Sequence, residues 1–217
     1  MSQLMVEIWS DVVCPWCYIG KRRWEAGLAQ FEAANPEVTV TVAYRAFQLD
    51  PTAPTDRSEP VRQAYEKKFG GPGEADQVLR HVSSEAAAVG LDFDFDRARR
   101  SNTADAHRLL VLAEREGLQL ELKERLMRAY FSEGRELGSI DELVTIASDV
   151  GLDGGASRAW LAGDGGRREV AEQLMFAADA GIHSVPTFVI NRSIGVPGAQ
   201  EPEVFTQILE RAAERIG

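Results

Sequence analysis

Two cysteines stand three positions apart near the start of this chain, in Cys14-Pro15-Trp16-Cys17, and its 217 residues contain no others. A loop this short restrains an unfolded chain only weakly, so the pair is a poor structural brace. Cysteines at i and i+3 in the first turn of a helix do share one face, within reach of a disulfide. The flanking sequence supplies that turn. Leu4-Met5-Val6-Glu7-Ile8-Trp9 reads as a short buried strand from its branched and apolar content. Cys17, Trp24, Leu28 and Phe31 then fall on one stripe at helical spacing. Pro15 suits a first helical turn, which has no use for its missing N–H. The helix start carries partial positive charge and free N–H groups that favour a thiolate at Cys14, whereas Cys17, one turn further in, is expected to be more buried. The work divides accordingly: Cys14 exchanges with a disulfide through a mixed-disulfide intermediate and Cys17 resolves it.

Two other readings of the pair are weaker. Half of a zinc site needs further ligands, and His81, His107 and His183 are not paired at zinc spacing, so no metal is expected. An inert structural pair fits poorly with the strand–motif–helix context.

The rest of the chain alternates in character. Val38 to Tyr44 mixes branched residues with threonines as a strand does. Pro51 to Pro60 is a Pro/Thr/Asp/Ser linker, and the next hundred or so residues read as helix, punctuated by Gly70-Gly71-Pro72-Gly73, Gly90 and Gly117. Ser101 or Asn102 is placed to cap the apolar helix through Leu109-Leu110-Val111-Leu112, and Ser139 with Glu142 forms a capping-box pattern. Strand signals return at Pro186-Thr187-Phe188-Val189-Ile190 and Ile194-Gly195-Val196, joined by a turn at Asn191-Arg192-Ser193. A last amphipathic helix turns Phe205, Ile208, Leu209 and Ala212 inward. The order β–α–β, helical block, α–β–β–α describes an α/β domain split by a helical insertion. Residues 1–55 and 166–217 form the outer domain and 56–165 the insertion.

Composition narrows the partners. An apolar fraction of 44% and a charged fraction of 27% are those of a globular protein, and a net charge of −10 disfavours nucleic acid and anionic membrane surfaces. The start of the chain lacks the basic and apolar pattern of a secretory signal, and no run approaches a membrane span; the expected location is cytoplasmic.

Ser184-Val185-Pro186-Thr187 precedes a strand that, set beside the first, would bring Pro186 opposite the cysteines. Two readings stay open on residues alone. A cis Val185–Pro186 bond would offer the Val185 backbone to an extended thiol substrate; a trans proline would simply begin a strand.

With the strand–Cys14-Pro15-Trp16-Cys17–helix opening, Ser10-Asp11, Tyr18-Ile19-Gly20-Lys21, Asn102-Thr103 with Ala106-His107-Arg108, Val185-Pro186-Thr187 and Gly195-Val196-Pro197-Gly198-Ala199-Gln200, the chain resembles the DsbA-like branch of the thioredoxin superfamily, and most of all its FrnE-type members. The resemblance spans nearly the whole chain. It implies a thioredoxin-like α/β fold with a large all-helical insertion, the cis reading at Pro186, and thiol–disulfide oxidoreductase activity on protein or small-molecule disulfides. Cys14 and Cys17 would be catalytic, with Pro15, Trp16, Val185, Pro186, Asn102 and His107 at the substrate. For the last two, helix capping by Asn102 and a surface or half-buried His107 are the plainer readings.

The same branch holds 2-hydroxychromene-2-carboxylate isomerase and kappa-class glutathione transferases, which place a serine where this chain has Cys14. A glutathione-dependent isomerase or transferase is therefore an alternative, and so is a redox-regulated holdase. No cofactor is required, although glutathione is available as redox partner or co-substrate, and a homodimer is left open. Trp16 replaces the histidine of the strongly oxidising members, so a milder oxidant is expected. Trp16 is expected to be exposed, and Trp9, Trp24 and Trp160 to be core residues.

Overall fold

A computed structural model describes residues 2–55 and 57–215; Met1, Asp56 of the linker, Ile216 and Gly217 lie outside it. The chain opens with β1 (Ser2–Ser10), α1 (Pro15–Ala34) and β2 (Val38–Ala46). It continues through β3 (Glu59–Pro60), α2 (Val61–Phe69), α3 (Pro72–Ala88), β4 (Arg99–Arg100), α4 (Ala104–Arg115), α5 (Gln119–Phe131), α6 (Ile140–Asp149) and α7 (Gly154–Ala162). α8 (Arg167–Asp179), β5 (Thr187–Ile190), β6 (Ile194–Pro197) and α9 (Pro202–Glu214) close it.

The main sheet runs β2-β1-β5-β6, with β1 parallel to β2 and antiparallel to β5, and β5 antiparallel to β6. Strand alternation sends β1 residues to opposite faces. Leu4, Val6 and Ile8 pack with Trp24 and Phe31 of α1 and Phe205 and Leu209 of α9. Trp9 faces the other way, in a cluster with Ala177 of α8, and its ring stacks on Phe176 at 5.3 Å. The β5–β6 loop is Asn191-Arg192-Ser193; Ser193 N–H donates to the Ile190 carbonyl at 3.0 Å, and the two central residues of that turn, Asn191 and Arg192, have positive φ (48° and 55°).

Between β2 and α8 the chain is helical apart from the two-residue pairing of β3 with β4. Its core, around Leu109, Leu126, Phe131, Leu143 and Ile146, is continuous with Val12, Cys14, Cys17 and Ile19 at the start of α1. The cysteine pair therefore sits in the seam between insertion and sheet. Arg108, 2% exposed, braces the insertion by donating hydrogen bonds to the carbonyls of Trp160, Leu161, Gly163 and Gly165 and pairing with Asp105.

Ser139 caps α6, its Oγ accepting the Glu142 N–H at 3.4 Å. At α4 the cap residue is Thr103, not Ser101 or Asn102; Asn102 Oδ1 accepts the Ala104 N–H at 2.9 Å from one place earlier. Trp160 is half-buried rather than core. Its indole N–H needs the Arg108 carbonyl at 3.0 Å, and the Arg115 guanidinium covers its ring at 4.9 Å.

Candidate active site

Cys14 holds an extended backbone as the N-cap of α1, and its carbonyl accepts the N–H groups of Cys17 and Tyr18 at 3.1 and 3.3 Å. Both cysteines are free thiols. The expected contrast in burial is absent: Cys14 is 3% exposed and Cys17 2%. Val13, Trp16, Tyr65 and Val185 pack against the cluster that holds both, and most of that cluster is contributed by the helices of the insertion.

The Cys14 thiol points to the far strand connection, donating to the Val185 carbonyl at 3.7 Å, and the Val185–Pro186 bond is cis. Gly20, on α1, makes this approach feasible. A Cβ there would lie 2.9 Å from Pro186 Cγ and 3.2 Å from Ala199 Cβ. Pro15 and Pro186 are buried and Val185 half-buried. Trp16 is half-buried rather than exposed, because His81 of α3 lies over it with ring centroids 5.9 Å apart.

Charge is arranged around Cys17. Lys123 of α5 is 0% exposed; its Nζ donates to the Ser10 carbonyl at 3.4 Å and lies 5.2 Å from the Tyr44 ring centroid. Burial pulls the Lys123 pKa down to about 8, while the cysteines and Asp11 act to keep it charged. Burial opposes a thiolate on Cys17 as well, yet its pKa is lowered, because the Cys14 thiol, the Lys123 charge, the Ser10 hydroxyl and the Asp11 N–H all stabilise the anion. Cys14 is held well above the ordinary thiol range by its hydrogen bond to Cys17, by burial and by the charge on its neighbour. Of the two thiols, Cys17 has the surround that favours an anion, a contribution the helix start alone does not reveal. The deciding cation comes from a helix distant in sequence.

Behind the motif, Asp11 accepts the N–H groups of Val12 and Leu49 at 2.8 and 2.9 Å, and its Oδ1 lies 3.1 Å from His107 Nε2. Burial opposes the Asp11 charge, but His107 and the Leu49 N–H hold its pKa below the usual carboxylate value. His107, 2% exposed, is therefore neither at the surface nor half-buried, and it reaches the site through Asp11. Asn102 is half-buried and donates to the Pro51 and Ala53 carbonyls at 3.3 and 3.1 Å, tying down the loop after β2. His183 and Ser184 are exposed. Sequence reasoning missed Lys123 and the Asp11–His107 pair. The available signal was a lysine within the apolar stripe Leu122, Leu126, Met127, Tyr130 of α5.

Beside the motif opens a cavity of about 530 Å³, lined among others by Asp11, Val13, Leu49, Val61, Tyr65 and Tyr130. Among the described residues no group of three or more His, Cys, Asp or Glu could hold a metal ion. No described helix is long and apolar enough to cross a membrane.

Comparison with known proteins places this geometry. The model of the DSBA-like thioredoxin domain matches residues 5–210. The chain belongs to the DsbA-like thioredoxin family. Among DsbA-like structures, a probable DsbA oxidoreductase from Streptomyces coelicolor is 38% identical, with a TM-score of 0.89 over 96% of this chain and 89% of that one. The uncharacterized protein YwbO of Bacillus subtilis (strain 168) is 28% identical over 94% of both chains. The cytosolic disulfide reductase DsbM of Pseudomonas aeruginosa, solved with GSH, shares the DsbA-like fold at 18% identity and a TM-score of 0.63, covering 97% of this chain and 99% of its own.

Proposed function

We propose that this DsbA-like protein is a thiol–disulfide oxidoreductase of the FrnE type, with Cys14 exchanging with substrate and Cys17 resolving the mixed disulfide. One observation carries the reading: the Cys14 thiol lies against the Val185 carbonyl while Cys17 lies in a cationic, hydrogen-bonding surround. A proton passed from the Cys14 thiol to the Cys17 thiolate makes Cys14 the nucleophile, and Lys123 favours the Cys17 thiolate again when it must attack the mixed disulfide. The cytoplasm is the compartment assigned, since there a lone cysteine pair serves exchange rather than bracing.

Reduction of a small-molecule disulfide and of insulin, together with dithiol oxidation, by the wild type, Cys14→Ser and Cys17→Ser tests the reading. Both variants are expected to lose turnover, and Cys17→Ser to accumulate a mixed disulfide visible by mass spectrometry. Equal activity in all three proteins would refute it.

A second reading makes glutathione a co-substrate of an isomerase or transferase. It draws on the cavity beside the pair and on the GSH-bound structure of DsbM. Under it, Cys14→Ser retains glutathione-dependent turnover.

A further inference from the structure

Resting on the exchange chemistry just proposed, we infer that the substrate is a small organic disulfide with an apolar body and an oxygen acceptor, not the disulfide of a folded protein. The first ground is access. Cys14 is 3% exposed, inside the cluster against which Val13, Trp16, Tyr65 and Val185 pack, so a disulfide on a protein surface cannot meet its sulfur without displacing side chains. The second is space. The cavity beside Val13 holds about 530 Å³, within the range of small-molecule sites.

The third ground is the chemistry of the wall. Val13, Leu49, Ala53, Val61 and Ala64 give it an apolar surface. Of its cations, Arg100 is already taken up by Asp50 and Glu59, and Lys67 by Glu59, while the exposed Lys68 lies over the Phe69 ring at 5.5 Å. Tyr130 is 4% exposed and lines the cavity, and no hydrogen bond ties its hydroxyl to another group among the described residues. The Tyr65 hydroxyl on the same wall is equally free of partners among them. Neither hydroxyl is sealed from solvent, so both open onto the cavity as donors that a bound acceptor can take up. Burial and the nearby Cys14 push the Tyr65 pKa up to about 12, so it keeps its proton at neutral pH.

The reaction is balanced within the site. The Cys14 thiolate attacks one sulfur of R–S–S–R, forming a Cys14–S–S–R bond and expelling RS⁻. The Cys17 thiolate then attacks the Cys14 sulfur, closing the Cys14–Cys17 disulfide and releasing the second RS⁻. Two electrons pass from the dithiol to the substrate, and the single thiol proton, handed from Cys14 to Cys17, is given up before Cys17 attacks and leaves as RSH, so that the products are RSH and RS⁻.

The test uses the reduced full-length protein, with dithiobis-nitrobenzoate as the small aromatic disulfide and insulin as the protein disulfide. Each rate is divided by that of dithiothreitol under the same conditions. The normalised rate should be at least about 100-fold higher for the small disulfide. Tyr130→Phe, which preserves shape, should raise KM about 3- to 10-fold by removing one hydrogen bond, with kcat and the redox potential kept. Ala64→Phe, which fills the cavity, should slow the small disulfide more than about 10-fold while leaving the thiol titration in place. Insulin reacting as well as the small disulfide, or Tyr130→Phe matching the wild type, overturns the inference and leaves the exchange reading intact. Unchanged rates in Cys14→Ser instead remove the exchange reading itself.

Discussion

His107 Nε2 lies 3.1 Å from Asp11 Oδ1, across 96 residues of sequence, and neither side chain is more than 2% exposed. The pair joins the first turn of α4 to the residue that follows β1, and so ties the insertion to the strand that delivers the cysteines. Because the Asp11 carboxyl titrates below its ordinary 3.8 in the folded state, its ionisation stabilises the fold above that pH, and the contribution is lost as pH falls through the lower folded value. Wild-type protein should therefore lose stability steeply below about pH 4, and Asp11→Asn should flatten that dependence while costing about 1–3 kcal/mol at pH 7. Urea unfolding across an acid series measures both.

Lys123 makes the opposite demand on the fold. Its folded pKa of about 8 lies below the ordinary 10.5, so carrying its charge in the interior costs on the order of 3 kcal/mol at pH 7. That cost disappears as pH rises from about 8 to 10.5, where the lysine is neutral whether folded or not. Lys123→Met should stabilise the reduced protein at pH 7, with the gain vanishing above about pH 10.5. The same change removes the cation facing Cys17, so thiolate absorbance should titrate at higher pH and exchange should slow. A variant both more stable and less reactive is the expected signature; an unchanged thiol titration would contradict the assigned role.

Gly20 predicts a change of sign. Glycine to alanine within a helix ordinarily stabilises by about 1 kcal/mol. Here the added methyl would meet Pro186 Cγ at 2.9 Å and Ala199 Cβ at 3.2 Å, so Gly20→Ala should destabilise instead, and Gly20→Val more strongly. Because the displaced segment carries the Val185 carbonyl, mixed-disulfide formation at Cys14 should slow in the same order. Thermal melts and single-turnover exchange read the two effects.

Arg108→Met should destabilise by at least about 3 kcal/mol, since it strips hydrogen bonds from several buried carbonyls at once. Arg108→Lys should recover only part of this, because an ammonium cannot span the same fork of acceptors. Activity should fall with the folded fraction and not ahead of it, which separates this brace from Lys123.

Local spacing made much of the fold legible. The branched β1, the Ser139 cap, the Asn191-Arg192 turn and the inward stripe of α9 each follow from neighbours a few residues apart. The insertion was visible as a helical run between two strand-bearing ends. The electrostatics of the site were not legible in this way. Lys123 reaches Ser10 across 113 residues, and Asp11 reaches His107 across 96, and no periodicity encodes such meetings. Burial misled in both directions. Trp160 stays half-buried because its indole needs a carbonyl, and Cys14 is buried in a cluster most of whose members come from helices distant in sequence.

Lys123 and Tyr130 belong to the same helix, two turns apart on α5. One rigid rod therefore carries the counter-charge of the resolving cysteine at one point and a wall of the cavity at another. A descendant that kept the strands and α1 but exchanged this helix would acquire a new ligand preference and a new sulfur reactivity in a single genetic event. Tilting the rod would alter both together, making α5 the natural handle for diversification in this lineage.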